Sequence, residues 1–254
     1  MLICVDMGNS HISLGVFKDE ALILSSYLKT DINRSADQYA VDILSILRLN
    51  KIDPCDIHGA VLGSVVPALT RSIKMAVEKV TGTSCLVIGP GVKTGLNIKI
   101  DDPATLGADL VCGGVAAANL YPLPCIICDL GTATKMFAVD GKGQFIGGMI
   151  ASGVGISTTA LSNNAAQLPQ VSLEAPKKAI SKNTIDCMQS GIVLGTASMI
   201  DGMLDRFEKE LGEAPTVVAT GGFSPIIIPH CIHKIDIDDA LLFKGLKIIF
   251  EKNK

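Results

Sequence analysis

Two aspartates stand at the ends of apolar runs and are followed by glycine and then by hydroxyl or amide side chains. The first run is Leu2 to Asp6, continued by Met7, Gly8, Asn9 and Ser10; the second is Cys125 to Asp129, continued by Leu130, Gly131, Thr132, Ala133 and Thr134. A buried strand that ends this way makes a tight turn whose backbone N–H groups can face a phosphate, while the carboxylate beside it can hold the accompanying cation or its waters. The same device twice in one chain suggests two related half-domains facing each other across a cleft. Such a cleft suits a nucleoside triphosphate. Further along, the apolar run Pro215 to Thr220 enters Gly221-Gly222, a glycine pair that lets the backbone approach a flat ligand closely.

The elements that must position these turns follow from the spacing of apolar residues. Strands are predicted at Leu2 to Val5, Ile12 to Phe17 and Ala21 to Leu28, forming a meander. Ser35-Ala-Asp37-Gln38 reads as a helix start, with Tyr39, Ile43, Leu44 and Leu47 at helical spacing behind it. A strand at Gly59 to Val65, a helix from Pro67 to Lys79 and a strand at Ser84 to Ile88 complete a βββαβαβ lobe. The Ala-rich segment Gly107 to Tyr121 predicts a helix. A second meander follows at Cys125 to Asp129, Lys135 to Val139 and Gln144 to Ile150, with helices at Ser157 to Ala166 and Thr184 to Leu211. The division expected is one lobe over residues 1–116 and a second over 117–254.

Composition narrows the function classes. With 48% hydrophobic residues, 25 glycines and 19% charged residues, the 254-residue chain has the makeup of a packed α/β protein. A formal net charge of −3 without a long basic run gives no footprint for nucleic acid or an anionic membrane, so neither partner is expected. Met1 leads straight into a strand, without the basic and apolar regions of a secretory leader, and no apolar stretch nears the roughly 20 residues that span a bilayer. A cytoplasmic location is the expectation. Of eight cysteines only Cys125 and Cys128 form a C-x-x-C, inside an apolar strand where positions three apart face opposite ways, so all read as reduced cysteines. His11, His58, His230 and His233 show no metal spacing.

Taken in order, Asp6-x-Gly8-Asn9-Ser10, Asp129-x-Gly131-Thr132 and Ala219-Thr220-Gly221-Gly222 resemble the two phosphate motifs and the adenosine motif of the superfamily of acetate and sugar kinases, heat-shock chaperones and actin. Within it the chain resembles the type III pantothenate kinases. Their Gly-Ala-Asp signature is matched by Gly107-Ala108-Asp109, and their Gly-Gly-x-Ile segment by Gly147-Gly148-Met149-Ile150, ending at Gly153. Ala160-Leu161, Leu168-Pro169 and Asn183-Thr184 before Gln189-Ser190-Gly191 extend the match.

The resemblance implies an actin-like ATPase fold: two duplicated, ribonuclease H-like lobes of mixed sheet flanked by helices, with the nucleotide in the cleft between them. It implies ATP-dependent phosphorylation of pantothenate to 4′-phosphopantothenate, the first step of coenzyme A synthesis. Asp109 would be the general base. Asp6, Met7, Gly8, Asn9, Ser10, His11, Ile12, Ser13, Thr132, Gly221 and Gly222 would contact ATP, and Gly107, Ala108, Asp109, Leu110 and Thr184 the acceptor. Asp6 would also hold Mg²⁺ through water, and Asp129 a monovalent cation, K⁺ or NH4⁺. A homodimer is implied as well.

The acceptor side departs from the pattern more than the nucleotide side. Leu110 stands where the family has an arginine that helps hold the substrate, and leucine cannot form a charge-assisted pair with a carboxylate. Ile100 replaces an aromatic residue before Asp101-Asp102-Pro103, and Thr-Ala-Thr-Thr becomes Thr132-Ala133-Thr134-Lys135. Lys135 could supply the charge lost at position 110 or could snorkel to solvent. Asp109 on its own would also suit the first turn of a helix, and Thr184 a helix cap. The alternative function is a diverged paralogue with another small acceptor or a nucleotide-binding regulatory role.

Overall fold

A computed structural model describes all residues, 1–254. The first strands are β1 (Leu2–Met7), β2 (His11–Lys18) and β3 (Ala21–Lys29), an antiparallel meander. Helix α1 (Ala36–Leu49) begins at a capping box: the Ser35 hydroxyl accepts the Gln38 N–H, and the Gln38 side chain accepts the Ser35 N–H. Strand β4 (Gly59–Ser64) lies parallel to β1, helix α2 (Pro67–Thr81) follows, and β5 (Cys85–Val87) adds to β4. The sheet order is β3-β2-β1-β4-β5, the predicted βββαβαβ arrangement. Its core joins Ile3, Val5, Met7, Ile12 and Leu14 of the sheet with Tyr39, Ile43, Leu69 and Ile73 of α1 and α2.

The second sheet repeats this plan. Strands β7 (Cys125–Leu130), β8 (Ala133–Val139) and β9 (Gln144–Ser152) form the meander, and β10 (Thr216–Thr220) lies parallel to β7 as β4 does to β1. The short β11 (Asp236–Ile237) pairs with β10, and β6 (Asn97–Ile98), which the sequence reading did not anticipate, pairs with β9. The order is β11-β10-β7-β8-β9-β6. Helix α3 (Ala108–Leu120) precedes this sheet, and α4 (Val154–Asn164) leaves its last meander strand.

The helix predicted from Thr184 to Leu211 is broken by a wider turn. Helix α5 (Thr184–Gln189) passes into a π-helical turn at Ser190–Leu194 before α6 (Gly195–Leu211). Strand β10 then leads to the single turn α7 (Ser224–Ile227), and α8 (Leu241–Glu251) ends the chain. No helix is long and apolar enough to cross a membrane.

Two compact units result: residues 1–96, 101–116 and 240–254, and residues 97–100 with 117–239. Helix α8 thus goes with the first unit, where a division at residue 117 had assigned it to the second. The reason is packing. Phe243, Leu246 and Phe250 share one face of α8, and a Cβ added at Gly15, Gly63 or Gly59 would stand 2.9, 3.3 or 2.4 Å from them, so these glycines of β2 and β4 make the room that α8 fills. Gly245 serves α3 in the same way, since a Cβ there would overlap the Cys112 carbonyl oxygen at 2.0 Å.

Cys125 and Cys128 are buried and unbridged. Burial pushes the Cys125 thiol up to about 12, and the Cys128 thiol is raised too. In α6, Asp201 accepts the backbone N–H groups of Ile232 and His233 and faces His233 Nδ1 at 2.9 Å. Burial alone would raise its pKa, yet these bonds, Ile232 first, hold the carboxyl below its ordinary value. A carboxyl depressed on folding stabilises above the unfolded pKa of about 3.9, and that contribution is lost as pH falls through the lower folded value. Asp201→Asn should therefore lower stability by about 1–3 kcal/mol at neutral pH, with the deficit closing in acid. Urea denaturation at neutral pH and below pH ~4 checks this, and identical curves at neutral pH would refute it.

Candidate active site

In the first unit Asp6 lies within β1 rather than beyond its end, opposite Ser13 of β2 and beside Gly63 of β4. The turn that follows is closed by Gly8 N–H donating to the His11 carbonyl at 2.9 Å. Thr30, at the end of β3, fastens it from outside: its hydroxyl donates to Gly8 O at 2.7 Å and its N–H to Ser10 O at 3.0 Å. The sequence reading missed Thr30; the meander register, which brings His11 opposite Lys29, is the signal that could have found it. Asn9 and His11 are exposed, and Ser10 and Ser13 half-buried. Met7 and Ile12 are fully buried in the core, so they could reach a nucleotide only through their backbone.

Asp109 lies in the first turn of α3, where its Oδ1 accepts the Leu110 N–H at 2.8 Å. A Cβ on Gly107 would stand 2.5 Å from that oxygen, so the glycine leaves the carboxylate its space. Ala108 is buried, and Leu110 presents a half-buried apolar side chain. Cys112, one turn on, packs beside the strand next to Asp6: a Cβ on Gly63, the β4 partner of Asp6, would stand 3.7 Å from its sulfur. Burial pushes its thiol well above the ordinary value, and the charges of Asp6 and Asp109 push the same way.

In the second unit the β7–β8 turn is closed by Gly131 N–H donating to Ala133 O at 3.1 Å, the counterpart of the Gly8 bond. Thr132 is exposed at its tip. Backbone from two other elements grips this turn. A Cβ on Gly221, whose φ is +94°, would come within 2.6–2.8 Å of Leu130 backbone atoms, and one on Gly153, at the start of α4, would meet the Thr132 carbonyl oxygen at 2.0 Å. Phe223 N–H adds a bond to Leu130 O at 3.1 Å. Gly222 is exposed, with open space at its Cβ position.

Asp129 is buried, and its Oδ2 lies 2.6 Å from Lys135 Nζ, directly across the β7–β8 ladder. The Lys135 side chain is 16% exposed, so it does not snorkel to solvent; its charge meets Asp129. At Oδ2 an ammonium nitrogen already takes the place that a monovalent ion would have on Asp129. Thr184, in turn, is not the cap of α5. Asn183 is, its side chain accepting the Asp186 N–H at 2.9 Å, and Thr184 stands exposed in the first turn.

Comparison with known proteins adds the family. The type III pantothenate kinase family matches residues 2–206. The chain belongs to this family. It is 41% identical to the type III pantothenate kinase of Moorella thermoacetica (strain ATCC 39073 / JCM 9320) over 255 residues, which cover 100% of both chains. Solved structures share the fold at low identity. A conserved Baf family protein from Campylobacter jejuni matches with a TM-score of 0.62 at 20% identity over 99% of this chain and 98% of the other. The ethanolamine utilization protein EutJ from Carboxydothermus hydrogenoformans matches at 0.56 and 12% identity over 98% and 89%. The chain thus has the expected actin-like ATPase fold, with two mixed sheets flanked by helices.

Proposed function

We propose that this protein transfers the γ-phosphoryl group of ATP to the primary hydroxyl of pantothenate, giving 4′-phosphopantothenate and ADP and opening coenzyme A synthesis. The observation that carries the reading is the full-length identity to a pantothenate kinase, and Asp109 in the first turn of α3 offers a carboxylate base to match it. Asp109 accepts the hydroxyl proton as the oxygen bonds to phosphorus and the bond to ADP breaks. The turns after Asp6 and Asp129 contact the phosphates, with Gly8, Asn9, Ser10 and Thr132 as contact residues, and Gly221-Gly222 face the adenosine.

Mg²⁺ suits this donor set. No group of three or more His, Cys, Asp or Glu side chains could cage a metal, so the ion arrives with the nucleotide and meets Asp6 through water, the usual manner for a hard cation on a triphosphate. Bound there, it offsets charge on the phosphates. The acceptor is held by Gly107, Ala108 and Thr184, without a guanidinium at position 110. That apolar side chain keeps a second reading open, a different small alcohol as acceptor. A homodimer is part of the proposal, as the family resemblance implies.

The test is ADP release with ATP and Mg²⁺, with and without pantothenate, on protein whose mass is followed by light scattering. Turnover should require pantothenate, and the mass should be twice the 26.6 kDa of one chain. ADP release indifferent to pantothenate would remove the acceptor assignment.

A further inference from the structure

The two hairpins that repeat in this chain differ in what faces the aspartate. Ser13 lies opposite Asp6, whereas Lys135 lies opposite Asp129. Neighbours directly across an antiparallel pair have their Cβ atoms about 5 Å apart, and a lysine stem is long enough to bring its ammonium back onto the partner carboxylate. Here it does so at 2.6 Å, with the Asp129 side chain 9% exposed and that of Lys135 16% exposed. Such a contact is a charge-assisted hydrogen bond largely removed from water.

A carboxylate withdrawn from solvent needs positive charge beside it, and the need grows when a polyanion binds nearby. An ion drawn from solution can meet it, but then occupancy follows the salt concentration. An ammonium tethered to the adjacent strand meets it at an effective concentration fixed by the fold. Ammonium and lysine present the same donor group, so the side chain can do what a free NH4⁺ would do at this carboxylate.

We propose that Lys135 is a built-in monovalent cation, and that its ammonium makes this kinase independent of added potassium or ammonium. The inference rests on the reading of the Asp129 turn as part of the nucleotide site. It assigns Lys135 as a positioning residue that neutralises Asp129 and holds its carboxylate in one orientation under the phosphates.

The experiment compares the wild-type protein with Lys135→Thr in potassium and in tetramethylammonium chloride at matched ionic strength. Two quantities are followed, Mg-ATP affinity by calorimetry and pantothenate-dependent ADP release. For the wild type both should agree within about twofold between the salts, since the screening is equal. For Lys135→Thr, ATP affinity should fall about tenfold or more in tetramethylammonium, as expected for an unneutralised buried carboxylate, and potassium or ammonium should restore it. A wild-type protein that needs potassium for ATP affinity would overturn the proposal, as would a Lys135→Thr variant with wild-type affinity in both salts. If the variant does not fold, the wild-type comparison decides alone. ATP binding without pantothenate turnover in either salt would defeat the kinase reading, while the calorimetry would still judge Lys135.

Discussion

Asp109→Asn is expected to reduce pantothenate-dependent ADP release by about 10²–10⁴-fold, the usual loss when a positioned base is removed, with Mg-ATP affinity preserved. The structure makes this a clean substitution. Asparagine has the same shape and keeps an oxygen for the Leu110 N–H that now binds Oδ1 at 2.8 Å, and the space over Gly107 is unchanged. What is lost is the ability to take a proton. The competing view, in which Asp109 only complements the N-terminus of α3, predicts something else: a loss of about 0.3–1 kcal/mol in stability from the dipole and ordinary turnover. Steady-state kinetics beside a thermal melt separates the two, and a variant that turns over normally would return Asp109 to the helix-end role.

Gly221→Ala should destabilise the protein by about 2–5 kcal/mol, from about 1–3 for strained backbone and about 1–3 for overlap. At φ +94° an L-residue is strained whatever the space around it, and the new Cβ would fall 2.6 Å from the backbone of Leu130. Because Leu130 directly follows Asp129, any relief by movement displaces the turn proposed to hold the phosphates, so ATP affinity should fall with stability. Gly222→Ala is the control. It has no positive φ and nothing within 4 Å of the added carbon, so it should change stability by under about 0.5 kcal/mol. Equal denaturation midpoints for the two variants would show that the backbone contact carries no weight.

Much of the fold was legible because its signals are local and repeated. The Asp-x-Gly turns, the meander strands on either side and the capping box at Ser35 each follow from residue types within a few positions. The duplication then organises them, and both sheets do share one strand order with the aspartate strand beside a parallel partner. Helix α8 was not read from the sequence although Phe243, Leu246 and Phe250 have helical spacing, and only the glycines of distant strands show where it packs. Strand β6 is two residues long and leaves no periodicity to read. The π-helical turn at Ser190–Leu194 keeps the apolar pattern going, so nothing local marks the widened step.

The site divides along the same line. The motif residues were visible as types at set spacing, while their partners depended on register. Lys135 was apparent in the sequence as a departure from Thr-Ala-Thr-Thr. Its meaning came from the shortness of the turn, which sets residue 135 against residue 129 and so makes one substitution both a lost hydroxyl and a gained ion pair. Thr30 escaped for the same reason, since its two bonds to the first turn exist only once β3 is in register with β2.

Placement of α8 in the first unit has a further consequence for biosynthesis. The second unit is complete once Asp239 has been made, but the first still lacks Ala240–Lys254, the segment that fills the spaces over Gly15, Gly59 and Gly63. Domains ordinarily fold in the order in which they are translated. In this chain the half begun first is closed last, so its sheet keeps one apolar face uncovered until Ala240–Lys254 is made and free to pack.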